Sequence, residues 1–300
     1  MTRVVEIPTY LDGRSFDQFA RSFESPLPKG GERLLFDAHG VKFADPFGLI
    51  GLLVAGQAVL EAGHERPLFT VPANKNVLSY WARLGFFEFA GELFELHGKV
   101  PKRAPSGPSD VLLEITPVRE VNDVHAVVGA VQERSASILA HELNLESHAT
   151  MGFTMALSEA CQNIVEHAGT SGWVSAQTYN WRKTLGRKVV VIAVADAGVG
   201  FRKSLEPTQA SRFGDRWSDQ AALESALFHG ASRFRDPGRG QGLQGIKRYL
   251  GRWSGKLGVR SGTARIAIVP DWDHDKPLVD GLPEFPGSQI SMIIPEQTAD

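Results

Sequence analysis

The sequence lacks the features that several functional classes require. It contains one cysteine, Cys161, among 300 residues, which excludes an intramolecular disulfide and a cysteine-rich zinc site. No apolar run is long enough for a membrane helix, because residues 47–60 are interrupted by glycines and Gln57. The G-x-x-x-x-G-K-[ST] motif is also absent. The chain therefore does not use a P-loop to bind nucleotides.

Charge and composition are those of an ordinary globular chain. The net charge of −2 provides no basic surface for nucleic acid. The hydrophobic fraction of 42% and the charged fraction of 22% are typical of soluble domains. The first residues have no apolar core of the signal-peptide type. We expect a cytoplasmic protein that binds small molecules or other proteins, with no nucleic-acid or membrane partner.

Proline, glycine and charged residues concentrate in residues 99–109, which predicts a linker between residues 1–98 and residues 110–300. Before it, apolar strand patterns alternate with helical patterns, as in a small α/β domain. After it, we expect an α+β sandwich with helices on one face of a mixed sheet. In that part we predict a strand over residues 124–131 and an irregular segment over residues 201–237, with one helical piece at residues 219–228.

Most of residues 1–97 resembles a STAS domain, the anti-sigma-factor-antagonist fold. The resemblance rests on a strand, the run V-K-F-A-D-P-F-G-L at residues 41–49, a long helix, and a final helix with its glycine at residues 77–86. Regulatory members of that family carry two serines after the aspartate, and one of them is phosphorylated. Pro46 and Phe47 occupy these positions here. Proline suits the first turn of a helix, but phosphorylation at this site is excluded.

Residues 153–168 have the pattern of a helix with two stripes, because residues four apart share a face. A polar stripe contains Glu159, Asn163 and His167. Asn163 has low helix propensity, and its amide oxygen is a suitable ligand for Mg²⁺. An ordinary half-exposed helix is the alternative. The apolar stripe, which we expect to face the core, contains Leu157, Ala160, Cys161, Ile164 and Ala168.

Two glycine-containing segments follow this helix. An apolar run at residues 189–194 leads into D-A-G-V-G at residues 196–200, where the aspartate could accept a hydrogen bond from the amine of adenine and the glycines let a planar ring approach. An ordinary turn is the alternative. The second segment, G-R-G-Q-G-L at residues 238–243, precedes a predicted helix whose free N–H groups could hold phosphate. It fits a dinucleotide pattern literally, but no buried strand comes before it, so we reject that interpretation.

In this order, the three motifs resemble the N, G1 and G2 boxes of the GHKL ATP-binding superfamily over roughly residues 130–295, most closely in its anti-sigma-factor serine kinases. The resemblance implies that Glu159 is the general base, Asn163 binds Mg²⁺, and Asp196 binds adenine. It makes residues 201–237 an ATP lid, His167 a structural residue and Glu166 a solvated neighbour. The other residues that it implies contact the nucleotide are Gly198, Gly200, Gly238, Arg239, Gly240, Gly242 and Leu243.

The two resemblances together predict an ATP- and Mg²⁺-binding regulatory protein of the bacterial partner-switching type. It would be a protein serine/threonine kinase or have anti-sigma-like activity; the alternative is an ATP-gated protein-binding switch with slow or no phosphotransfer. The expected partner is another regulatory protein, either sigma-factor-like or a STAS-domain protein, and the family makes a homodimer plausible. Arginines at positions 212, 216, 233 and 235 of the lid could reach the γ-phosphate, dock a partner, or simply be solvated.

Overall fold

The computed structural model of the protein describes residues 2–23, 32–101, 111–143, 147–232 and 242–297, without the side chains of residues 133–143, 147–151 and 153. Over these ranges the chain is a mixed α/β structure with two principal sheets, one of four strands and one of seven. None of the helices in these ranges is both long enough and apolar enough to cross a membrane.

The N-terminal half alternates strands and helices, as its sequence pattern predicts. Its four-stranded sheet has the order β1-β3-β5-β6, and all neighbouring strands are parallel. The remaining two short strands, β2 and β4, pair with each other. The elements of this half are β1 (Thr2–Glu6), β2 (Tyr10–Leu11), α1 (Phe16–Phe23), β3 (Arg33–Asp37), β4 (Phe43–Ala44), α2 (Pro46–Glu61), β5 (Leu68–Thr70), α3 (Lys75–Arg83), α4 (Phe86–Leu93) and β6 (Glu95–His97).

The second half is built on the seven-stranded sheet. Its elements are β7 (Val111–Val118), α5 (Val121–Leu143), α6 (Ser147–Asn163), a π-helical turn (Ile164–Ala168), β8 (Gly172–Trp181), β9 (Arg187–Asp196), α7 (Gly200–Phe213), a 3₁₀ turn (Gly214–Arg216), α8 (Asp219–His229), α9 (Gly242–Arg252), β10 (Lys256–Gly262), β11 (Ala264–Ile268), β12 (Leu278–Val279) and β13 (Phe285–Pro295).

Every neighbouring pair in the order β12-β11-β10-β13-β9-β8-β7 is antiparallel. The expected mixed sheet is therefore wrong. Short connections, such as residues 182–186 between β8 and β9 and residue 263 between β10 and β11, account for the hairpin pairs, since a hairpin reverses the chain whereas a parallel pair needs a long crossover.

Helix α2 lies between the two sheets. It begins with Asp45, whose carboxylate accepts a hydrogen bond from the Gly48 N–H at 2.9 Å, and with Pro46 in its first turn. Only Ala58, Leu60 and Glu61 of its residues are not buried. A helix that is apolar all round must be covered on all sides, and α2 satisfies this by packing against β8, β9 and β13 as well as against its own half.

Strand β9 contributes side chains to two hydrophobic clusters, one on each face of the large sheet. Ile192 and Val194 face the cluster formed with α5, α6, α8 and α9, while Ala193 and Ala195 face the cluster that contains α2. This alternation is the two-residue period of a strand. The expectation of helices on one face of this sheet is thus incomplete, because α2 covers the other face. Residues 102–110, most of the expected linker, lie outside the described residues, so the boundary at 99–109 stays a prediction.

Two sequence predictions fail in the helical layer. Residues 124–131 belong to α5 and do not form a strand. Val124, Val127 and Val131 are buried at helical spacing, so packing overrides their β-branched composition. In the expected irregular segment, α8 confirms the predicted helix, but α7 is an additional one. It contains Pro207, which removes a helical hydrogen bond and made the segment look irregular.

The close packing around α2 can be tested with a matched pair of glycines. A Cβ at Gly51 would overlap the ring of Phe16, which is itself buried against Phe47 and Phe285. We expect Gly51→Ala to lower the free energy of unfolding by about 1–3 kcal/mol in urea denaturation. Gly91 is helical and has no atom within 4 Å of its Cβ position, so Gly91→Ala should be neutral or stabilising by up to about 1 kcal/mol. Equal losses in the two variants would contradict this packing.

Candidate functional site

A cavity of about 300 Å³ lies where residues of the three sequence motifs come together. Its walls come from the end of α6, the π-helical turn, the start of α7, the start of α9, and strands β9 and β13. Six of the residues predicted to act on or contact the nucleotide line it, namely Glu159, Asn163, Asp196, Gly200, Gly242 and Leu243. Motifs that are far apart in the chain therefore contribute to one concave site of a size suited to a small molecule.

The two stripes of α6 and the π-helical turn are arranged as the sequence predicts. The five residues of the apolar stripe are all buried, and Glu159, Asn163 and His167 all line the cavity. The helix changes to π geometry after Asn163 and ends at Gly169, whose φ is +75°. Single π-helical turns occur frequently at functional sites, which agrees with the position of this one in the cavity wall.

The π-helical turn also brings Glu166 and His167 to the cavity. Glu166, expected to be only a solvated neighbour, is half-buried and accepts a hydrogen bond from Gln162 at 2.9 Å. His167 lies with its Nδ1 3.4 Å from the hydroxyl oxygen of Ser204 on α7. Its other ring nitrogen is 3.9 Å from the Glu166 carboxylate. His167 thus links α7 to the π-helical turn, and its role stays a prediction.

Glu159 has an environment suited to a base. Partial burial raises the pKa of its carboxyl, and the nearby negative charge of Glu166 raises it further. A carboxylate with a raised pKa accepts a proton more readily at neutral pH than an ordinary glutamate does. Groups with pKa values shifted in this way cluster at functional sites.

Asn163 and Gly242 face each other across the cavity floor. A Cβ on Gly242 would lie 2.9 Å from Glu159 Oε2 and 3.6 Å from the Asn163 amide, so the first turn of α9 lies directly against these two side chains. The amide nitrogen of Asn163 is buried and has no hydrogen-bond partner within the described part of the chain. Buried polar groups are normally paired, so an unpaired amide beside a helix N-terminus points to a polar ligand.

The oxygen-bearing side chains of the cavity test whether the residues fit Mg²⁺. Among the described residues there is no group of three or more histidine, cysteine, aspartate or glutamate side chains arranged to hold a metal. Mg²⁺ in nucleotide sites needs no such cage, because it is held by one or two protein oxygens, waters and the phosphates. The amide oxygen of Asn163, which lines the cavity, is the ligand type for such an arrangement, whereas the unpaired nitrogen is a donor that suits a phosphate or another acceptor.

Asp196 lies at the end of β9, in the cavity wall, and is 6% exposed. The Gly198 N–H donates a hydrogen bond to its Oδ1 at 2.8 Å. Burial raises the pKa of Asp196 to about 7, against the effect of backbone hydrogen bonds from Gly198 and Ser288. Gly198 itself packs on the π-helical turn, since a Cβ there would overlap the Ala168 carbonyl, and that carbonyl accepts a hydrogen bond from the Val199 N–H at 3.1 Å.

Three residues that the sequence did not reveal surround Asp196 and the start of α7. The Ser261 hydroxyl accepts a hydrogen bond from the Phe201 N–H and donates one to the Gly287 carbonyl, both at 3.0 Å. Gly287 has φ +69°, and a Cβ there would overlap the Asp196 carbonyl oxygen. Ser288 pairs with Asp196 across β13 and β9 and lines the cavity. In the sequence these residues appear only as a glycine and a serine after Pro286. They indicate a site only once the pairing of β13 with β9 is known.

Residues 201–232 form one wall of the cavity through Ser204 and Leu205 on α7, Ala226 on α8, and Ala231 and Ser232 after it. Arg212 and Arg216 are exposed and do not line the cavity. Arg233, Arg235, Gly238, Arg239 and Gly240 lie outside the described residues, so their predicted contacts stay predictions.

The sequence matches no protein-family model, and a search of the curated proteins finds no relative.

The burial of Asp196 has a consequence for stability that varies with pH. Between about pH 4, where an unfolded aspartate titrates, and pH 7, the folded protein retains a proton that the unfolded chain releases. The contribution of Asp196 to the free energy of unfolding therefore falls as pH rises, by up to about 1.4 kcal/mol per pH unit. We expect Asp196→Asn, which cannot ionise, to gain stability relative to the native protein as pH increases from 4 to 7 in urea denaturation.

Asp271, which is exposed, supplies the control for this titration. Asp271→Asn removes a carboxylate without removing a buried one. A stability difference between Asp196→Asn and the native protein that stays constant from pH 4 to 7 would show that Asp196 ionises normally in the fold.

Proposed function

We propose that this protein binds ATP with Mg²⁺ and acts as a regulatory protein of the bacterial partner-switching type, with protein serine/threonine kinase or anti-sigma-like activity. Its second half would be a GHKL-type domain, and residues 1–98 a STAS-like domain. One observation carries the proposal: Glu159, Asn163, Asp196, Gly200, Gly242 and Leu243, from three separate motifs, line a single cavity of about 300 Å³.

The architecture supports both resemblances at the level of layers. The four parallel strands with flanking helices of the N-terminal half suit a small α/β domain of the STAS type. The large sheet, with α5, α6 and α9 packed on the face that bears the cavity, suits a sandwich of the GHKL type. A fold alone does not define a function, so the proposal depends on the chemistry of the cavity.

The cavity offers different chemistry at its two ends. At one end, the buried Asp196 accepts backbone hydrogen bonds from Gly198 and Ser288, and the remaining lone pairs of its carboxyl would accept a hydrogen bond from the adenine amine. At the other end, α9 begins directly opposite Glu159 and Asn163. The free N–H groups and positive dipole of a helix N-terminus favour phosphate. A cavity with an acceptor for adenine at one end and a site for phosphate at the other suits ATP.

For phosphoryl transfer, Glu159 would accept the proton of the attacking hydroxyl. The raised pKa of its carboxyl improves it as a base near neutral pH. The acceptor oxygen would bond to the γ-phosphorus as the bond from that phosphorus to the bridging oxygen breaks, and ADP would leave. Asn163 would hold Mg²⁺, which neutralises charge on the phosphates.

The acceptor hydroxyl must come from another protein. In this chain the positions of the usual STAS serines hold Pro46 and Phe47, which have no hydroxyl and are buried. A co-encoded STAS-domain protein is the substrate class that fits a partner-switching kinase.

A second candidate function, an ATP-gated protein-binding switch, is favoured by the lid. Ser204, Leu205 and Ala226 of α7 and α8 form part of the cavity wall. A bound nucleotide would therefore contact the lid helices directly. Its presence could change the surface that these helices offer to a partner, with hydrolysis serving only to end the bound state.

Incubation with ATP labelled on the γ-phosphate separates the two functions. Label transferred to a co-encoded STAS-domain protein supports the kinase, whereas release of free phosphate alone supports the switch. Calorimetry with Mg²⁺ tests their common premise: if the protein binds neither ATP nor ADP, both functions are wrong.

The roles assigned to Glu159 and Asp196 predict that one variant loses turnover and the other loses affinity for ATP. Glu159→Gln should reduce phosphate release or transfer by roughly 10²- to 10⁴-fold with little change in the Kd for ATP. Asp196→Asn should instead weaken ATP binding by about tenfold, because it replaces a carboxylate acceptor with an amide. Calorimetry and the labelled assay measure the two quantities.

Glu92 is exposed on α4, remote in sequence from the three motifs, so Glu92→Gln is the matched control for loss of a glutamate charge. Turnover that survives Glu159→Gln at the level of this control would remove Glu159 from the proposed role.

A further inference from the structure

The C-terminal end of α2 contacts the turn that follows the π-helical turn. Gln57 of α2 is 6% exposed. Its amide nitrogen lies within 3.1 Å of the Thr170 hydroxyl and the Ser171 carbonyl, and within 3.2 Å of the Ser171 hydroxyl. The N-terminal half therefore reaches residues that are more than a hundred positions further along the chain.

The contact is part of a connected polar network. The Gln57 carbonyl oxygen accepts a hydrogen bond from the Trp173 indole N–H at 2.9 Å, and its amide nitrogen donates to Glu61 at 2.8 Å. The Thr170 hydroxyl donates to the same Glu61 carboxylate. Networks in which every buried member is paired hold their parts in one arrangement, so α2 fixes the turn 169–171 in place.

That turn is continuous with two walls of the cavity. On its N-terminal side is the π-helical turn, whose Glu166 and His167 line the cavity and whose Ala168 carbonyl binds the Val199 N–H. On its C-terminal side is Gly172, which pairs with Asp196 across β8 and β9. A small movement of residues 169–171 would therefore displace both the π-helical turn and the support of Asp196.

Electrostatics also place α2 near the cavity. The Glu61 carboxylate is close enough that its charge contributes to the raised pKa of Asp196. The last turn of α2 thus affects the adenine end of the site through space as well as through the turn.

We propose that Gln57 is a positioning residue for the nucleotide: its hydrogen bonds to the turn 169–171 set the affinity of the cavity for ATP, so that the N-terminal half controls nucleotide binding within the same chain. The inference rests on the proposed ATP-binding function and extends it with a mode of regulation. A partner that alters α2 would alter nucleotide affinity without touching the cavity.

The effect is reciprocal. If the contact raises affinity for nucleotide, then nucleotide must strengthen the contact by the same factor. Bound ATP should therefore slow amide hydrogen exchange in the last turn of α2, although none of its residues lines the cavity.

The test uses Gln57→Leu in the full chain, with Val59→Ala as the matched control. Val59 is fully buried on the same helix, so its truncation weakens the core without removing a hydrogen bond to the turn. Gln57→Leu should raise the Kd for ATP measured by calorimetry by roughly 5- to 20-fold, within the usual range of coupling between sites. Val59→Ala should leave the Kd within about twofold of the native value, since remote, independent sites act separately.

Thr170→Val removes the hydroxyl that contacts Gln57 and Glu61 with almost no change of side-chain shape. It tests the same network if Gln57→Leu does not fold. It should raise the Kd in the same direction, and the double variant should lose less than the product of the two single effects, because both break one network. Effects that multiply independently, or a Kd unchanged in either single variant, would overturn the inference.

Hydrogen exchange without nucleotide separates failure of this inference from failure of the proposed function. Gln57→Leu should speed exchange in residues 164–172 and 196–200, while Val59→Ala should not do so selectively. If the native protein binds no ATP, the proposed function is wrong, yet selective exchange would still show that α2 positions the cavity. If exchange in both segments is unchanged by Gln57→Leu, the positioning role is wrong whatever the protein binds.

Discussion

The burial of α2 on both sides is the constraint on which the rest of the structure depends. Its residues are apolar around the whole helix, and all but three near its C-terminal end are buried, so it cannot lie on a surface. It must be covered by its own half and by a second apolar face, which the large sheet supplies through Ala193 and Ala195. Arg260 of β10 lies buried in the interface between the two halves and is 2% exposed. Its Nε is 3.3 Å from the Asp17 carboxylate, and its guanidinium carbon is within 6 Å of the ring centres of Phe16 and Phe285. A charge buried this deeply is tolerated only when it is paired.

This arrangement gives the cavity a rigid back. Asp196 lies on a strand that is packed on both faces and is hydrogen-bonded on one side to β8 and on the other to β13. The opposite walls, α7 and α8, pack on β10, β11, β13 and α9, and the His167–Ser204 contact and the Ser261 hydroxyl add polar contacts to the π-helical turn and to β10. The cavity is thus bounded by packed elements on both sides, which suits a ligand that must be both oriented and enclosed.

The sequence revealed the parts of the site that are local and missed those that depend on strand pairing. Glu159, Asn163 and the apolar stripe followed from helical spacing, and Asp196 from its place at the end of an apolar run. Ser288 and Gly287 reach the site only through the pairing of β13 with β9, which no local pattern encodes. The valines of α5 were taken for a strand because β-branched residues favour strands, and their helical spacing is apparent mainly once their burial is known. The apolar character of α2 was visible, but not the surface that covers its second side.

Strand β7 is the last strand at one edge of the large sheet, and its contact with the N-terminal half affects how the two halves can be expressed. The Ile115 N–H donates to the Leu84 carbonyl at 2.8 Å, so the N-terminal half occupies part of an edge that could otherwise pair with another molecule. A fragment starting at residue 111 would expose that edge together with Trp173, Ala195 and Phe285, which are buried in the intact chain. Open strand edges beside apolar surface promote aggregation. The two halves therefore behave as one unit for expression and handling, and neither, cut from the other, would be a reliable reagent for finding partners.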